Sequence, residues 1–187
     1  MRTTLFTAAA LVCFAVLSAF TFNEAGGNKF TGVSTCKACH NTDKTGKQYA
    51  IWEKTKHAEA YKALQTPKAD EVAAKRGSKV KAVETPECLG CHVTGMSMKD
   101  AQYDTKFAKD EGVGCETCHG AGSAYKALHM KKENLDKAIA AGMQIPKASD
   151  GAAEKLCKSC HNEKSPTFKG FKFEEKWKLI EHPLPKS

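Results

Sequence analysis

Four copies of one five-residue pattern constrain this chain more than anything else in it: Cys36-x-x-Cys39-His40, Cys88-x-x-Cys91-His92, Cys115-x-x-Cys118-His119 and Cys157-x-x-Cys160-His161. They take up eight of the nine cysteines. Two cysteines three positions apart can each add to one vinyl group of the same porphyrin. The histidine that follows then falls beneath the iron as its proximal ligand. Zinc ribbons also repeat C-x-x-C pairs, but they need no histidine directly after every pair. A redox dithiol needs one pair, in a βαβ setting that this sequence does not show. A disulfide framework rarely spaces all its cysteines alike. The pattern therefore implies four covalently bound haem c groups, attached through these eight cysteines, with His40, His92, His119 and His161 on iron.

The first residues are read differently. Met1-Arg2 precedes an apolar run over 5–22, broken only by Thr7, Ser18 and Thr21. A short basic start followed by such a run is an export signal and stays out of the fold. Residues 1–25 are read as this signal, and Cys13 within it is lost on processing. Neither Ala19, with Leu17 two places before it, nor Ala25, with Asn23, gives a clean A-x-A cleavage site. The alternative is an uncleaved anchor. Covalent haem attachment takes place outside the cytoplasm, so the expected location is the periplasm, or the inner membrane facing it if the anchor stays.

About 160 residues then remain for four macrocycles, too few per cofactor to build an ordinary protein core. The macrocycles supply most of the buried apolar surface and their covalent bonds act as staples. Residues 26–187 are expected to form one domain, mainly α with extensive irregular loops, a compact fold organised around four covalently bound haems. The apoprotein is expected to be largely unfolded. A helix is expected over 47–64, where His57, Ala60, Tyr61 and Leu64 recur at i, i+3, i+4 and i+7. Shorter helical segments are expected over 70–75, 123–130, 131–141 (closed by Gly142), 152–161 and 171–181. No strand pattern of any length is visible. Gly120 and Gly122 allow a sharp turn or a close approach to a macrocycle.

Ligand arithmetic sharpens the picture. The chain has seven histidines. Four belong to the repeated pattern, and His57, His129 and His182 are spare. A haem held by two histidines uses one spare, so three irons are filled and one is short. Its sixth position is open to Met96, Met98, Met130, Met143, water, or nothing; methionine serves equally well as filler against a macrocycle. An open position matters because only such an iron binds a small ligand.

At this point several stretches carry a likeness: Trp52 with Thr55-x-His57-Ala58-x-Ala60, Cys88-Leu-Gly-Cys-His-Val-Thr-Gly95, Gly112-Val-Gly-Cys-Glu-Thr-Cys-His-Gly-Ala-Gly122, and Phe171-x-Phe173-x-Glu175 leading to His182. In these the chain resembles the cytochrome c-554 family, tetrahaem electron carriers known beside hydroxylamine oxidoreductase. The resemblance covers nearly the whole of 26–187. It implies three haems with two histidines each and a second haem, that of Cys88, Cys91 and His92, that lacks a protein sixth ligand and is high-spin. It also implies His129 on the iron of His40, with His57 paired to His161 and His182 to His119.

The formal charge is +8 on the polypeptide. Each ferric haem adds two propionates against one net positive charge, leaving about +4 in the oxidised holoprotein and about zero in the reduced one. That balance gives no basis for nucleic-acid binding and suits transient electrostatic docking with acidic redox partner proteins. Lys75, Arg76, Lys79 and Lys81 are either a docking patch or a solvated face. The expected function is an exported tetrahaem c-type cytochrome that relays electrons between redox partners. Two rivals stand beside it. One is a haem enzyme reducing nitric oxide or a related nitrogen oxide at the open haem; the other is a membrane-anchored quinol-oxidising tetrahaem cytochrome.

Overall fold

The structure, a computed structural model, describes residues 27–184. The export signal read over 1–25, its cleavage and Cys13 lie outside the described residues. Short helices joined by long turns make up most of the described chain: α1 Val33–His40, α2 Gln48–Trp52, α3 Ala60–Leu64, α4 Pro67–Lys75, α5 Pro86–His92, α6 Cys115–His119, α7 Leu135–Ala140, α8 Ala152–Cys160 and α9 Phe173–Trp177. Among the described residues no helix is long and apolar enough to cross a membrane. The mainly helical, loop-rich fold expected from the sequence is what forms.

Local chemistry explains where these helices begin. α4 starts at a Thr-Pro pair: Thr66 Oγ1 accepts from Ala69 N at 3.2 Å, and Pro67 takes the first helical position, where no donor is needed. It therefore begins three residues before the expected segment at 70–75. α5 also opens on proline, Pro86. α7 follows a single 3₁₀ turn, Lys132–Asn134, and stops before Gly142, whose φ is 102°.

Three expectations need correcting. The helix over 47–64 is two pieces, α2 and α3, with turns over 53–59 that contain His57. Tertiary bonds displace the helical ladder there. The His57 carbonyl accepts from Val113 N at 3.0 Å, and the Ala60 carbonyl faces His92 Nδ1 at 2.7 Å. The segment 123–130 is a run of turns rather than a helix. Its Lys126 N donates to Gly122 O at 2.9 Å and Leu128 N to Tyr125 O at 2.9 Å, a mixture of spacings that never settles into one ladder. There is also a small parallel pairing, β1 Lys29–Phe30 with β2 Gln102–Tyr103, in the register Lys29↔Gln102 and Phe30↔Tyr103. Two residues per strand leave no periodicity to read.

The apolar core is small. Leu64, Ala73, Ala82, Leu89 and Val93 form its main cluster, flanked by Tyr61, Val83, Met96 and Phe107. It joins α3, α4 and α5, beside the second cysteine pair. Elsewhere, buried apolar side chains such as Phe30, Tyr125, Ala153 and Phe173 stand outside that cluster.

Candidate haem-binding centre

Each Cys-x-x-Cys-His sequence rides on its own helix: α1, α5, α6 and α8, with His161 immediately after the last. On a helix, residues three and four apart are surface neighbours. Both sulfurs and the histidine of one motif therefore crowd one side of a single turn, which is the arrangement that two thioether bonds and a proximal ligand to one porphyrin require.

The spare histidines come to meet three of these four. His129 faces His40, with ring centroids 5.8 Å apart and planes 5° from parallel. Their Nε2 atoms lie 3.5 Å apart. The centroid separation exceeds the nitrogen separation by about two ring radii, so the imidazoles point tip to tip. Metal–imidazole bonds of about 2 Å set opposed nitrogens about 4 Å apart across one metal, so an iron fits here with an opening of about half an ångström. His57 meets His161 at 6.0 Å between centroids, and His182 meets His119 at 5.8 Å. His161 and His182 are open to solvent on one side. His92 faces no second histidine among the described residues. Its neighbours are Leu89 and Val93, both buried, and the half-buried Met96; Met98 is 58% exposed.

The ring nitrogens are oriented for this task. His92 Nδ1 lies 2.7 Å from Ala60 O, His119 Nδ1 2.9 Å from Gln144 O and His129 Nδ1 3.3 Å from Tyr125 O. A carbonyl only accepts, so each Nδ1 carries the hydrogen and donates it, leaving the Nε2 lone pair free for a metal. Burial lowers the pKa of His57, with the facing His161 adding to the effect. Burial also lowers that of His119, opposed by its bond to Gln144 and helped by His40 and His129 nearby. Both rings are thereby held neutral, the form that binds a metal.

The sulfurs of different motifs approach one another. The Cys36 and Cys115 thiols hydrogen-bond, which holds Cys115 well above the usual thiol range. Burial pushes Cys91 up to about 11, with Cys160 in hydrogen-bonding contact. Burial likewise raises Cys118 to about 11, within electrostatic reach of Cys157 and Cys160. The attachment points thus follow one another in space in the order first, third, fourth, second. Among the described residues no three His, Cys, Asp or Glu side chains converge on a bare metal ion; the donors are arranged as opposed pairs instead.

Two residues that the sequence reading passed over hold the first and third motifs together. Glu116, inside the third motif, is 4% exposed. Its carboxylate accepts from Thr31 N at 2.8 and 2.9 Å, Gly32 N at 2.8 Å, Gly122 N at 2.6 Å and Thr31 Oγ1 at 3.2 Å. Glu111 accepts from Val33 N at 2.9 Å and Ser34 N at 3.2 Å, the first donors of α1. The glycines respond to this packing. A Cβ at Gly122 would lie 2.9 Å from Glu116 Oε1, and one at Gly120, where φ is 81°, would lie 2.5 Å from Gly142 O. Thr94 does the same work for the second motif: its Oγ1 accepts from Gly114 N at 2.8 Å and bonds Thr117 Oγ1 at 2.9 Å. The clue in the sequence was an acidic residue between two cysteines, with glycines crowded around it. Glu116→Ala strands three buried backbone donors, so we expect the holoprotein to lose about 3 kcal/mol or more of stability. Thermal unfolding followed at the Soret band and by circular dichroism checks this; a melting temperature unchanged from wild type would show that these bonds contribute nothing net.

Comparison with known proteins follows the same lines. The family model described as cytochrome c554 and c-prime matches residues 35–120, which contain the first three motifs. Cytochrome c-554 of Nitrosomonas europaea is 31% identical over 152 residues, covering 76% of this chain. The chain spans 62% of the length of that curated relative. A solved structure described as the reduced state of cytochrome c554 from Nitrosomonas europaea superposes with a TM-score of 0.51 at 25% identity, covering 82% of this chain and 78% of the other.

Proposed function

The chain belongs to the cytochrome c554 and c-prime family, and from that premise we propose that it is an exported tetrahaem c-type cytochrome, one domain over 26–187, that relays electrons between redox partner proteins. The observation that carries this reading is the meeting of His129 with His40, His57 with His161 and His182 with His119, each at a separation that suits one iron between two imidazoles. Haem supplies the reversible one-electron change. The protein's part is to hold, orient and shield. The cysteine pairs fix the attachment edges, the carbonyls of Ala60, Gln144 and Tyr125 fix which ring nitrogen is free, and the opposed imidazoles keep the same ligands in both redox states. The close approach of the attachment sulfurs supports neighbouring cofactors within tunnelling reach of one another. Exposed Lys75, Arg76, Lys79 and Lys81 are the candidate docking patch for acidic partners.

His92 supports a second reading. With no opposing imidazole among the described residues, its iron is the candidate for an open sixth position and for nitric oxide chemistry.

The proposal is tested by intact mass and by spin state. Matured protein should weigh the polypeptide plus four haems. Replacing His57, His129 or His182 by Ala should each convert one low-spin haem to high-spin in the EPR spectrum, with all covalent haem retained. A substitution that leaves the low-spin signals intact removes that residue from the ligand set, and fewer than four haems in matured protein defeats the reading as a whole.

A further inference from the structure

Three of the histidines described above give their Nδ1 proton to a backbone carbonyl. His40 gives its own to a side chain, Gln48 Oε1, at 3.2 Å. Gln48 is 9% exposed. Its Nε2 donates to Thr45 O, and also to Pro183 O at 2.9 Å. Carbonyls only accept, so the NH₂ end of the amide is fixed towards these two and its oxygen towards His40. No flipped amide satisfies all three partners. Nδ1 of His40 therefore carries the hydrogen, and its Nε2 lone pair aims at His129.

The backbone places Gln48 under visible constraint. Lys47, just before it, has φ 54° and is the only non-glycine residue with positive φ among the described residues. At Gly46, φ 95°, an added Cβ would lie 2.9 Å from the Gln48 amide nitrogen and 3.3 Å from Pro183. Strained conformations of this kind persist only where the surroundings over-determine them. Pro183 itself follows His182, the ring that faces His119. One buried amide thus joins the proximal ring of the first motif to the chain beside the distal ring of the third.

We infer that Gln48 is a positioning residue that sets the basicity of His40 and, through it, the reduction potential at the first motif. This rests on the proposed function above. An acceptor on Nδ1–H makes an imidazole a stronger donor to iron and favours the ferric state; removing it favours the ferrous state. In Gln48→Leu holoprotein the potential of the His40 haem should rise, with at least a tenfold shift in its reduction equilibrium, or ~59 mV for one electron. That haem is identified by the low-spin EPR signal lost in His129→Ala. In Gln48→Glu, read at a pH where the new carboxyl is ionised, its oxygen accepts more strongly and the same potential should fall. A merely steric role would move both variants in the same direction. Shifts of equal sign, or a Gln48→Leu potential that stays put, overturn the inference. Should Gln48→Leu fail to mature with four haems, Gln48→Glu decides alone: a fall supports the assignment, and no change or a rise overturns it. A wild-type protein with fewer than four haems, or with only high-spin haem, would overturn the proposed function instead, before any potential is measured.

Discussion

Polypeptide made without haem attachment should give the far-UV spectrum of a largely disordered chain and no cooperative thermal transition. Ordering each residue costs about 1–2 kcal/mol in backbone entropy. Against that, the buried apolar side chains larger than alanine among the described residues are Phe30, Val33, Leu64, Leu89, Val93, Tyr125 and Phe173. Three of them, Leu64, Leu89 and Val93, pack in one cluster; the others are dispersed along the chain. The surface ion pairs add little. Lys56 with Glu59, Lys68 with Glu71 and Lys172 with Glu175 are solvent-exposed i,i+3 contacts, a class worth less than about 1 kcal/mol each. The stability of the mature fold has to come from the macrocycles that the cysteines hold. Hydrogen exchange on protein expressed where no attachment machinery acts gives the measurement. Slowly exchanging amides in α4 and α5, together with a sigmoidal melt, would show that the polypeptide core suffices.

The haem held by Cys88, Cys91 and His92 should give a high-spin ferric EPR signal, and the reduced protein should take up one equivalent of nitric oxide. The three spare histidines, His57, His129 and His182, each meet a motif histidine other than His92. His92 keeps a fixed Nδ1 through Ala60 O at 2.7 Å, so its Nε2 is as well presented as any. What it lacks among the described residues is a partner imidazole. Val93 is buried in the apolar cluster beside the second motif, with Met96 packed against it. The competing outcome is methionine ligation: all haems low-spin, with a methionine–iron charge-transfer band and no nitric oxide uptake. That result would leave electron relay standing and remove any ligand chemistry. Uptake alone would not make an enzyme; turnover of nitric oxide with a reductant has to be measured separately.

Much of the centre was legible in the sequence because the chemistry of attachment is local. Two cysteines and a histidine at fixed spacing declare themselves without knowledge of the fold. The division of histidines into four motif residues and three spares came from the same source. What escaped was everything decided by distant partners. His57 sits at helical spacing from Ala60 and Leu64, yet its carbonyl is taken by Val113 and the helix breaks. Glu116 lies between two cysteines with glycines close by, but the sequence does not say that Thr31 and Gly32 arrive to donate to it. Gln48 is one polar residue near the start of the helix expected over 47–64. Its role appears only when Pro183, 135 positions away, is brought against it.

The bonds from Thr31 to Glu116 span 85 positions and carry a consequence for the order of events during biogenesis. A chain emerges from its N-terminus, so the first cysteine pair is made long before the carboxylate that anchors the start of its helix. Until residue 116 is available, the amides of Thr31 and Gly32 have only water, and α1 is a fragment of eight residues with no support at its leading end. A helix that short is marginal alone. Cys36 and Cys39 are therefore made before the bonds that hold the start of their helix in the folded state. Closure of the first site comes late, when the third motif has been made and can fold back onto it. A contact that spans 85 positions thus ties completion of the first site to the presence of the third motif.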